Sequence, residues 1–301
     1  MISFKKWLNE ALSIKGSYKG GIFQRLVAAE YQLASPLEQE AIPGYQDLMR
    51  KITRQNQFLQ SKFQFKPTTD DPYKSMRHMT GEINKQKAAG VKKPTFNVYA
   101  EPPEGPEISL VAQNSELPGS EGHPLLSNDQ NVVLRGVHDA IAHYMGQHPF
   151  SARGEYAAYT RHLKTLCNVD QVKGGNCLAA QVLFTEIIGQ TSFYYVYGGY
   201  TMQKAFIMHD FDHWHVGSLS PSSKLNMFFE LSGKELVPKQ DFDYSLFLKT
   251  FPSLANEMQR QLGMKARLKH DLASLPNEPD SSKQSYFSKT PDLSRLKDFY
   301  S

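Results

Sequence analysis

Apolar residues recur at helical spacing along most of the chain. They repeat every three to four positions in three segments, residues 1–60, 128–208 and 243–272. Two shorter segments, 96–99 and 108–111, flank a turn rich in proline, glutamate and glycine and predict a pair of strands. The pattern therefore predicts a mainly α (α+β) fold, with a helical-bundle core and a small strand pair around residues 95–112.

Prolines suggest two local boundaries ahead of this strand pair. Phe63 to Phe65 alternate in polarity as a short strand does, and Pro67 is expected to end that strand because it cannot donate a ladder hydrogen bond. Asp71 offers an N-cap acceptor and Pro72 suits the first helical position. A helix is therefore predicted to begin at this dipeptide.

The two ends of the chain differ from its middle. Residues 1–20 contain a short amphipathic helix without the apolar core of a signal peptide. Residues 274–301 are polar, with repeated serines and prolines, and predict an extended tail. Between them, residues 21–273 are expected to form a single helical domain that binds metal, for the reasons given below.

The charge balance argues against one class of partner. Lysine and arginine number 34 against 30 for aspartate and glutamate, a net charge of +4. That is too small for nucleic-acid binding through bulk electrostatic attraction. No apolar run reaches the roughly 20 residues that span a bilayer, so a soluble protein without a membrane partner is expected.

The cysteines bear on the compartment. Only two are present, Cys167 and Cys177. Although the ten-residue separation could close a loop, a stable disulfide is not expected, and a reducing intracellular compartment is the default for so few cysteines.

The segment 128–145 carries the first candidate chemistry. Its apolar residues surround the predicted helix almost completely, which is typical of a buried helix. His138, Asp139 and His143 must then find partners, because an unpaired buried charge costs several kcal/mol. Asp139 and His143 are four residues apart and are expected to project from one side of the helix.

The next two helices add carboxylates and an imidazole. Glu155 and His162 are seven residues apart, so both point the same way at the edge of an apolar stripe. Glu186 is the only charged residue between Gly174 and Gln203. It is expected to pair with a metal or an arginine, or else to stay protonated.

These helices together predict a metal centre. The expected ligands are the buried imidazoles and carboxylates: His138, Asp139, His143, Glu155, His162 and Glu186. Such donors suit a divalent metal, Fe, Zn or Mn, and His143, His162 and Glu186 are expected to converge on one point. The alternative is a buried polar network in which arginines such as Arg135, Arg153 or Arg161 form ion pairs with the carboxylates.

Two other patterns remain open. The histidine-rich segment 208–215 either adds ligands or is a solvated loop. The His138-Asp139 doublet is typical of HD-type phosphohydrolases, but that class needs an earlier helical histidine. His123 lies in a loop rich in glycine and proline, which argues against this class.

Four motifs follow one another along the chain: Asn131-(x)3-Arg135-Gly136-Val137-His138-Asp139-(x)3-His143, Gly154-Glu155-(x)2-Ala158-(x)3-His162, Thr185-Glu186-(x)2-Gly189-Gln190 and Gln203-Lys204-Ala205. In this order they resemble a family of uncharacterised tailed-bacteriophage proteins sometimes labelled "crystallin beta/gamma motif-containing". The resemblance covers about residues 45–208. It implies a phage origin and a metal site, but no particular reaction.

The N-terminus carries a separate resemblance. Residues 1–12 are similar to the capsid-targeting helices of internal proteins of large myoviruses, in which a protease cuts after glutamate in a Leu-x-Glu context. Leu8-Asn9-Glu10 fits that context. The resemblance implies the host cytoplasm as location, with packaging into the virion and contact with capsid components as a further expectation.

Two functions follow as hypotheses. The first is a phage metalloenzyme with an unknown substrate, in which Asp139 and Glu155 are the predicted catalytic groups. It is either hydrolytic or oxidative, and the oxidative version places two irons between the side chains of Glu155, Glu186, His143 and His162. The second is an internal or structural virion protein in which the cluster only staples the helices together.

Overall fold

The computed structural model describes residues 21–68, 72–100, 123–199 and 201–261. Three expectations lie outside these residues: the N-terminal targeting helix, the polar tail 274–301 and the strand at 108–111.

Helices dominate the described chain, as the apolar periodicity predicts. In chain order they are α1 (Ile22–Leu33), α2 (Ile42–Gln60), α3 (Met76–Ala88), α4 (Asn128–His138), α5 (Ala152–Leu166), α6 (Val169–Lys173), α7 (Leu178–Phe184), α8 (Gln190–Tyr197), α9 (Tyr244–Thr250) and α10 (252–261). The mainly α fold class is confirmed. Helix α3 begins later than Pro72, because Ser75 is its N-cap and accepts a hydrogen bond from the backbone of His78.

Two short strand pairs accompany the helices. β1 (Gln64–Thr68) and β2 (Thr95–Tyr99) are parallel, and β3 (Phe229–Ser232) and β4 (Glu235–Pro238) form an antiparallel hairpin. The strand at 95–99 is therefore confirmed, but the partner it has in the structure is β1. Pro67 does not end β1, and instead lies opposite Val98. A two-stranded sheet tolerates proline because one side of β1 has no neighbouring strand in the described sheet, and a residue facing that side needs no ladder hydrogen bond.

Close helix packing builds the core around α2. This helix packs against α4 and α7, while α1 packs against α8 and α5 contacts α7. At the α2–α7 crossing the backbone of Gly44 comes so near to α7 that an added Cβ would lie 2.7 Å from the side chain of Val182. Gly136 likewise allows α4 to pack closely against the β1–β2 sheet, where an added Cβ would crowd the side chains of Phe65 and Val98. Small residues thus allow the central helices to approach closely.

Two π-helical turns interrupt the regular helices. Asp139–Tyr144 continues α4, and Thr185–Gly189 joins α7 to α8. In the first, the amide of Met145 donates to the carbonyl of Ala140, five residues earlier. Such turns are rare and occur frequently at functional sites. Both coincide with predicted site residues.

The cysteine expectation is wrong. Cys167 and Cys177 form a disulfide with a Cα–Cα distance of 6.2 Å, within the range that such a bond requires. The bond joins the residue after α5 to the residue before α7, because α6 turns the chain back between them.

Helix length and hydropathy bear on membrane insertion. None of the described helices is both long enough and apolar enough to cross a bilayer.

Candidate metal centre

Three side chains from α4, its π turn and α5 converge. His138, His143 and Glu155 each offer one ligand atom, and these three atoms lie within 4.8 Å of one another. In the part of the chain that the structure describes, this is the one group of three or more such ligands. The structure therefore brings together half of the six predicted ligands.

The π turn explains why His138 and His143 meet. In a regular α-helix, residues five apart point about 140° away from each other. The wider π turn between them brings the fifth residue back to the same side. The ring centroids of His138 and His143 lie 5.1 Å apart, while Asp139 still interacts electrostatically with His143.

Glu155 lies in the first turn of α5. Ser151 caps this helix by accepting a hydrogen bond from the backbone of Gly154, which fixes the first turn. An added Cβ on Gly154 would lie 1.8 Å from the carbonyl oxygen of Pro149. Glycine is thus required beside Glu155 for α5 to begin where it does.

One nitrogen of His143 is committed to the backbone. Its Nδ1 lies 2.8 Å from the carbonyl oxygen of His148, and since a carbonyl can only accept, Nδ1 carries the proton. In the neutral ring Nε2 is then an acceptor. Yet this Nε2 lies 3.1 Å from Oε2 of Glu155, a second acceptor. Two acceptors repel each other, so a proton or a metal ion must lie between these two atoms.

His138 faces the same carboxylate with its second nitrogen. Its Nε2 is buried without a hydrogen-bond partner among the described residues, and it lies 3.7 Å from Oε2 of Glu155. Ligand atoms bound about 2.0–2.2 Å from one ion lie roughly 3–4 Å apart. The two nitrogen–oxygen distances, 3.7 and 3.1 Å, match that spacing.

Charge coupling within the group is strong. Burial works against the charged form of His143, but Glu155, Asp139 and the carbonyl of His148 together outweigh burial and raise the pKa of His143 to about 9. Burial likewise opposes ionisation of Glu155, but His143 and His138 lower its pKa to about 2. The carboxylate is therefore ionised at neutral pH, and the group attracts one or more cations, either protons or a metal.

His162 lies one layer behind the centre. Its Nδ1 is 3.1 Å from Nδ1 of His138, and its Nε2 is 3.1 Å from the amide oxygen of Gln55. Burial lowers the pKa of His162 well below its ordinary value, and the nearby His138 and His143 lower it further. His162 is thus a neutral ring that contacts the candidate ligand His138 and does not itself join the converging group.

Asp139 stands beside the centre without joining the group. Its side chain is partly exposed, and its charge interacts with both His138 and His143. Burial raises the pKa of Asp139, an effect that the two histidines only partly offset. It is a carboxylate with raised proton affinity next to the candidate ligands.

Glu186 has a different set of partners. It accepts hydrogen bonds from the hydroxyl of Tyr45, from Nε2 of His123 at 3.0 Å and from the amide of Gln190 at 2.8 Å. His123 acts as a donor here because its Nδ1 accepts from the backbone amides of residues 125 and 126. Three hydrogen-bond donors from the described residues thus contact the carboxyl oxygens of Glu186, and none of these donors is an arginine.

The histidine-rich segment 208–215 contributes no member to the converging group. His209 and His215 are exposed and lie within 3.0 Å of the carboxylates of Glu40 and Asp212, which fits a solvated loop. His213 is more buried. It donates to the carbonyl of Met208 and packs against Phe184, and burial lowers its pKa to about 4.

Sequence reasoning missed three contributors. Gln55 and the carbonyl of His148 hold the imidazoles, and His123 partners Glu186. A polar residue on the otherwise solvent-facing side of α2 and a loop carbonyl give no sequence signal of their own. His123 was visible in the sequence, but its loop position concealed that it is buried.

No family model matches the sequence, and neither a curated protein nor a solved structure matches the chain.

Proposed function

We propose that the chain is a phage-encoded metalloenzyme of the hydrolytic kind, in which His138, His143 and Glu155 hold one divalent cation. The phage origin is supported by the resemblance of the four ordered motifs alone. The metal centre is supported by the geometry of the side chains.

One observation carries the proposal. Two imidazole nitrogens, Nε2 of His138 and Nε2 of His143, lie 3.7 and 3.1 Å from the same oxygen of Glu155. The histidine nitrogen that faces away from the centre has its own partner in each case. Partners on the outer nitrogens are what metal-ligating histidines use to fix their rings.

The donor set indicates the chemistry. Two imidazoles and one carboxylate leave a coordination position open for water or substrate, as in catalytic zinc sites, although the same set also binds iron(II). A divalent cation held there supplies Lewis acidity and lowers the pKa of a bound water molecule. The side chain of Glu155 is 20% exposed, whereas that of His143 is buried.

Asp139 favours the hydrolytic version. A partly exposed carboxylate with a raised pKa beside the ligands is suited to accept a proton from water and pass it on. The oxidative version needs Glu186 as a ligand, and the partners of Glu186 are Tyr45, His123 and Gln190. The competing hypothesis is a structural virion protein in which the metal only stabilises the helical bundle. Such a site requires a fourth protein ligand that closes the coordination sphere.

The test is the metal content of protein purified without chelators. Elemental analysis is expected to find about one metal ion per chain in the wild type, as for a mononuclear site. Glu155→Gln and His143→Gln are expected to lose it, because each removes a ligand. The identity of the metal distinguishes a zinc centre from an iron centre in the same measurement.

The matched controls are Glu40→Gln and His209→Gln. This pair has the same chemistry and a separation of 2.8 Å, but both side chains are more than half exposed and lie outside the converging group. Both controls should retain the metal. Wild-type protein that holds no metal, even after incubation with Zn²⁺, Mn²⁺ or Fe²⁺, would refute the proposal.

A further inference from the structure

A chain of hydrogen bonds runs from the surface of α5 to the back of the metal centre. It begins at Thr165, whose hydroxyl lies 2.6 Å from the carbonyl oxygen of His162. A carbonyl can only accept, so the hydroxyl donates its one hydrogen there. Toward any other partner Thr165 is then an acceptor.

This first bond determines the orientation of Gln55. The amide nitrogen of Gln55 lies 2.8 Å from Oγ1 of Thr165 and donates to it. The amide oxygen of Gln55 therefore faces the other way, toward Nε2 of His162 at 3.1 Å. The reversed amide would place two acceptors against each other at Thr165.

The orientation of Gln55 in turn determines both imidazoles. An amide oxygen only accepts, so Nε2 of His162 carries a proton. The ring is fully buried and its polar contacts are an amide and another imidazole, which leaves it neutral and makes its Nδ1 an acceptor. The partner of that Nδ1 at 3.1 Å, Nδ1 of His138, must then donate.

We infer that Thr165, Gln55 and His162 form a directional hydrogen-bond chain that holds His138 in the tautomer with a free Nε2 lone pair facing Glu155. Gln55 is thus a positioning residue for a ligand from which it is separated by two hydrogen bonds. The functional meaning of this chain rests on the proposed metal centre, whereas its direction rests on the hydrogen bonds alone.

Two substitutions at Gln55 test the direction without touching a ligand. Gln55→Glu loses the donor toward Thr165 but keeps an acceptor toward His162, and so preserves the direction of the chain from residue 55 to His138. Gln55→Lys replaces the acceptor with a donor, so His162 must move its proton to Nδ1 and His138 must move its own to Nε2. Gln55 is partly exposed, so either side chain can keep its charge in contact with water.

The readouts are zinc affinity and ring tautomers in full-length protein. Competition with a chromophoric chelator is expected to show Gln55→Glu binding Zn²⁺ as the wild type does. Gln55→Lys should bind it roughly 10–100-fold more weakly, the usual effect of losing an outer partner of a ligand. Nitrogen-15 NMR of the imidazoles in metal-free wild type should show His162 protonated at Nε2 only.

The two proposals fail in different ways. Wild type without zinc affinity would refute the metal centre, while the His162 tautomer would still decide the hydrogen-bond chain. His162 protonated at Nδ1 in the wild type would overturn the inference whatever the metal content. Equal zinc affinity of Gln55→Lys and wild type would overturn it as well. If Gln55→Lys does not fold, the wild-type tautomer and the zinc affinity of Gln55→Glu still decide the direction of the chain.

Discussion

His143 shows how a single backbone contact orients a candidate ligand. Its Nδ1 donates to the carbonyl of His148, so the lone pair of the neutral ring points at Glu155. Without that carbonyl the ring could take either tautomer or rotate away. The histidine type was visible in the sequence, but the loop carbonyl that selects its tautomer was not.

Glu186 shows the reverse case at the same scale. It is buried and isolated in the sequence, which suggested a cation as partner. The structure instead provides a tyrosine hydroxyl, an imidazole N–H and an amide. Hydrogen bonds to the charged form stabilise a buried carboxylate just as a counter-charge does, and periodicity along one helix cannot reveal donors on other segments.

The first prediction concerns this carboxylate. Glu186→Gln should lower the free energy of unfolding by roughly 1–3 kcal/mol. The substitution removes the charge from the hydrogen bonds, and the amide NH2 replaces one acceptor oxygen, so one donor loses its acceptor. Metal content should not change, since Glu186 lies outside the converging group. Urea denaturation and elemental analysis of the same samples check both statements. Loss of metal in this variant would contradict the assignment.

At the scale of elements, α4 and its π turn show what periodicity can predict. The continuous apolar surface of residues 128–145 predicted a buried helix with trapped polar groups. The structure buries the second half of α4 and most of the π turn, whereas residues 128–130 are exposed. Counting at 3.6 residues per turn paired Asp139 with His143 because that count assumes regular hydrogen bonds. A π turn changes the count, so the pairing of His138 with His143 could not be read from spacing.

The connection between α5 and α7 is a second element with a measurable role. The disulfide between Cys167 and Cys177 closes a short loop, and Nζ of Lys51 lies 3.2 Å from Sγ of Cys177. Loop-entropy arguments give a stabilisation of about 2–3 kcal/mol for a loop of this size. The bond ties the end of the helix that carries Glu155 and His162 to the bundle.

The second prediction follows from this bond. Adding a thiol reductant should lower the urea midpoint of the wild type by an amount that corresponds to about 2–3 kcal/mol. The double variant Cys167→Ser, Cys177→Ser is the control and should show no response to reductant. A wild type that is equally insensitive would mean that the two cysteines are not joined in solution.

At the scale of the whole molecule, the proposed metal competes with protons for one centre. In the metal-free protein the pKa of His143 is raised from 6.5 to about 9, and that of Glu155 is lowered from 4.5 to about 2. A raised folded-state pKa gives stability that is complete below pH 6.5 and is lost as the pH rises toward 9. A lowered one gives stability that is lost as the pH falls from 4.5 toward 2.

The third prediction is therefore a pair of opposite trends. Between pH 6.5 and 9 the metal-free protein should become less stable, while its affinity for Zn²⁺ should rise because His143 must release a proton to bind. Thermal unfolding with a chelator and zinc titration across this range measure the two trends. His143→Gln should flatten the stability trend, and a wild type whose stability rises with pH would show that the coupling has the wrong sign.

The position of one metal ion decides between a metal centre and a buried polar network, and anomalous diffraction from zinc-loaded crystals locates that ion. We expect an anomalous peak about 2.0–2.2 Å from Nε2 of His138, Nε2 of His143 and a carboxylate oxygen of Glu155. The peak should disappear in crystals of Glu155→Gln. A peak at Glu186 or in the segment 208–215, or no peak in the wild type, would mean that these three side chains do not form a metal centre.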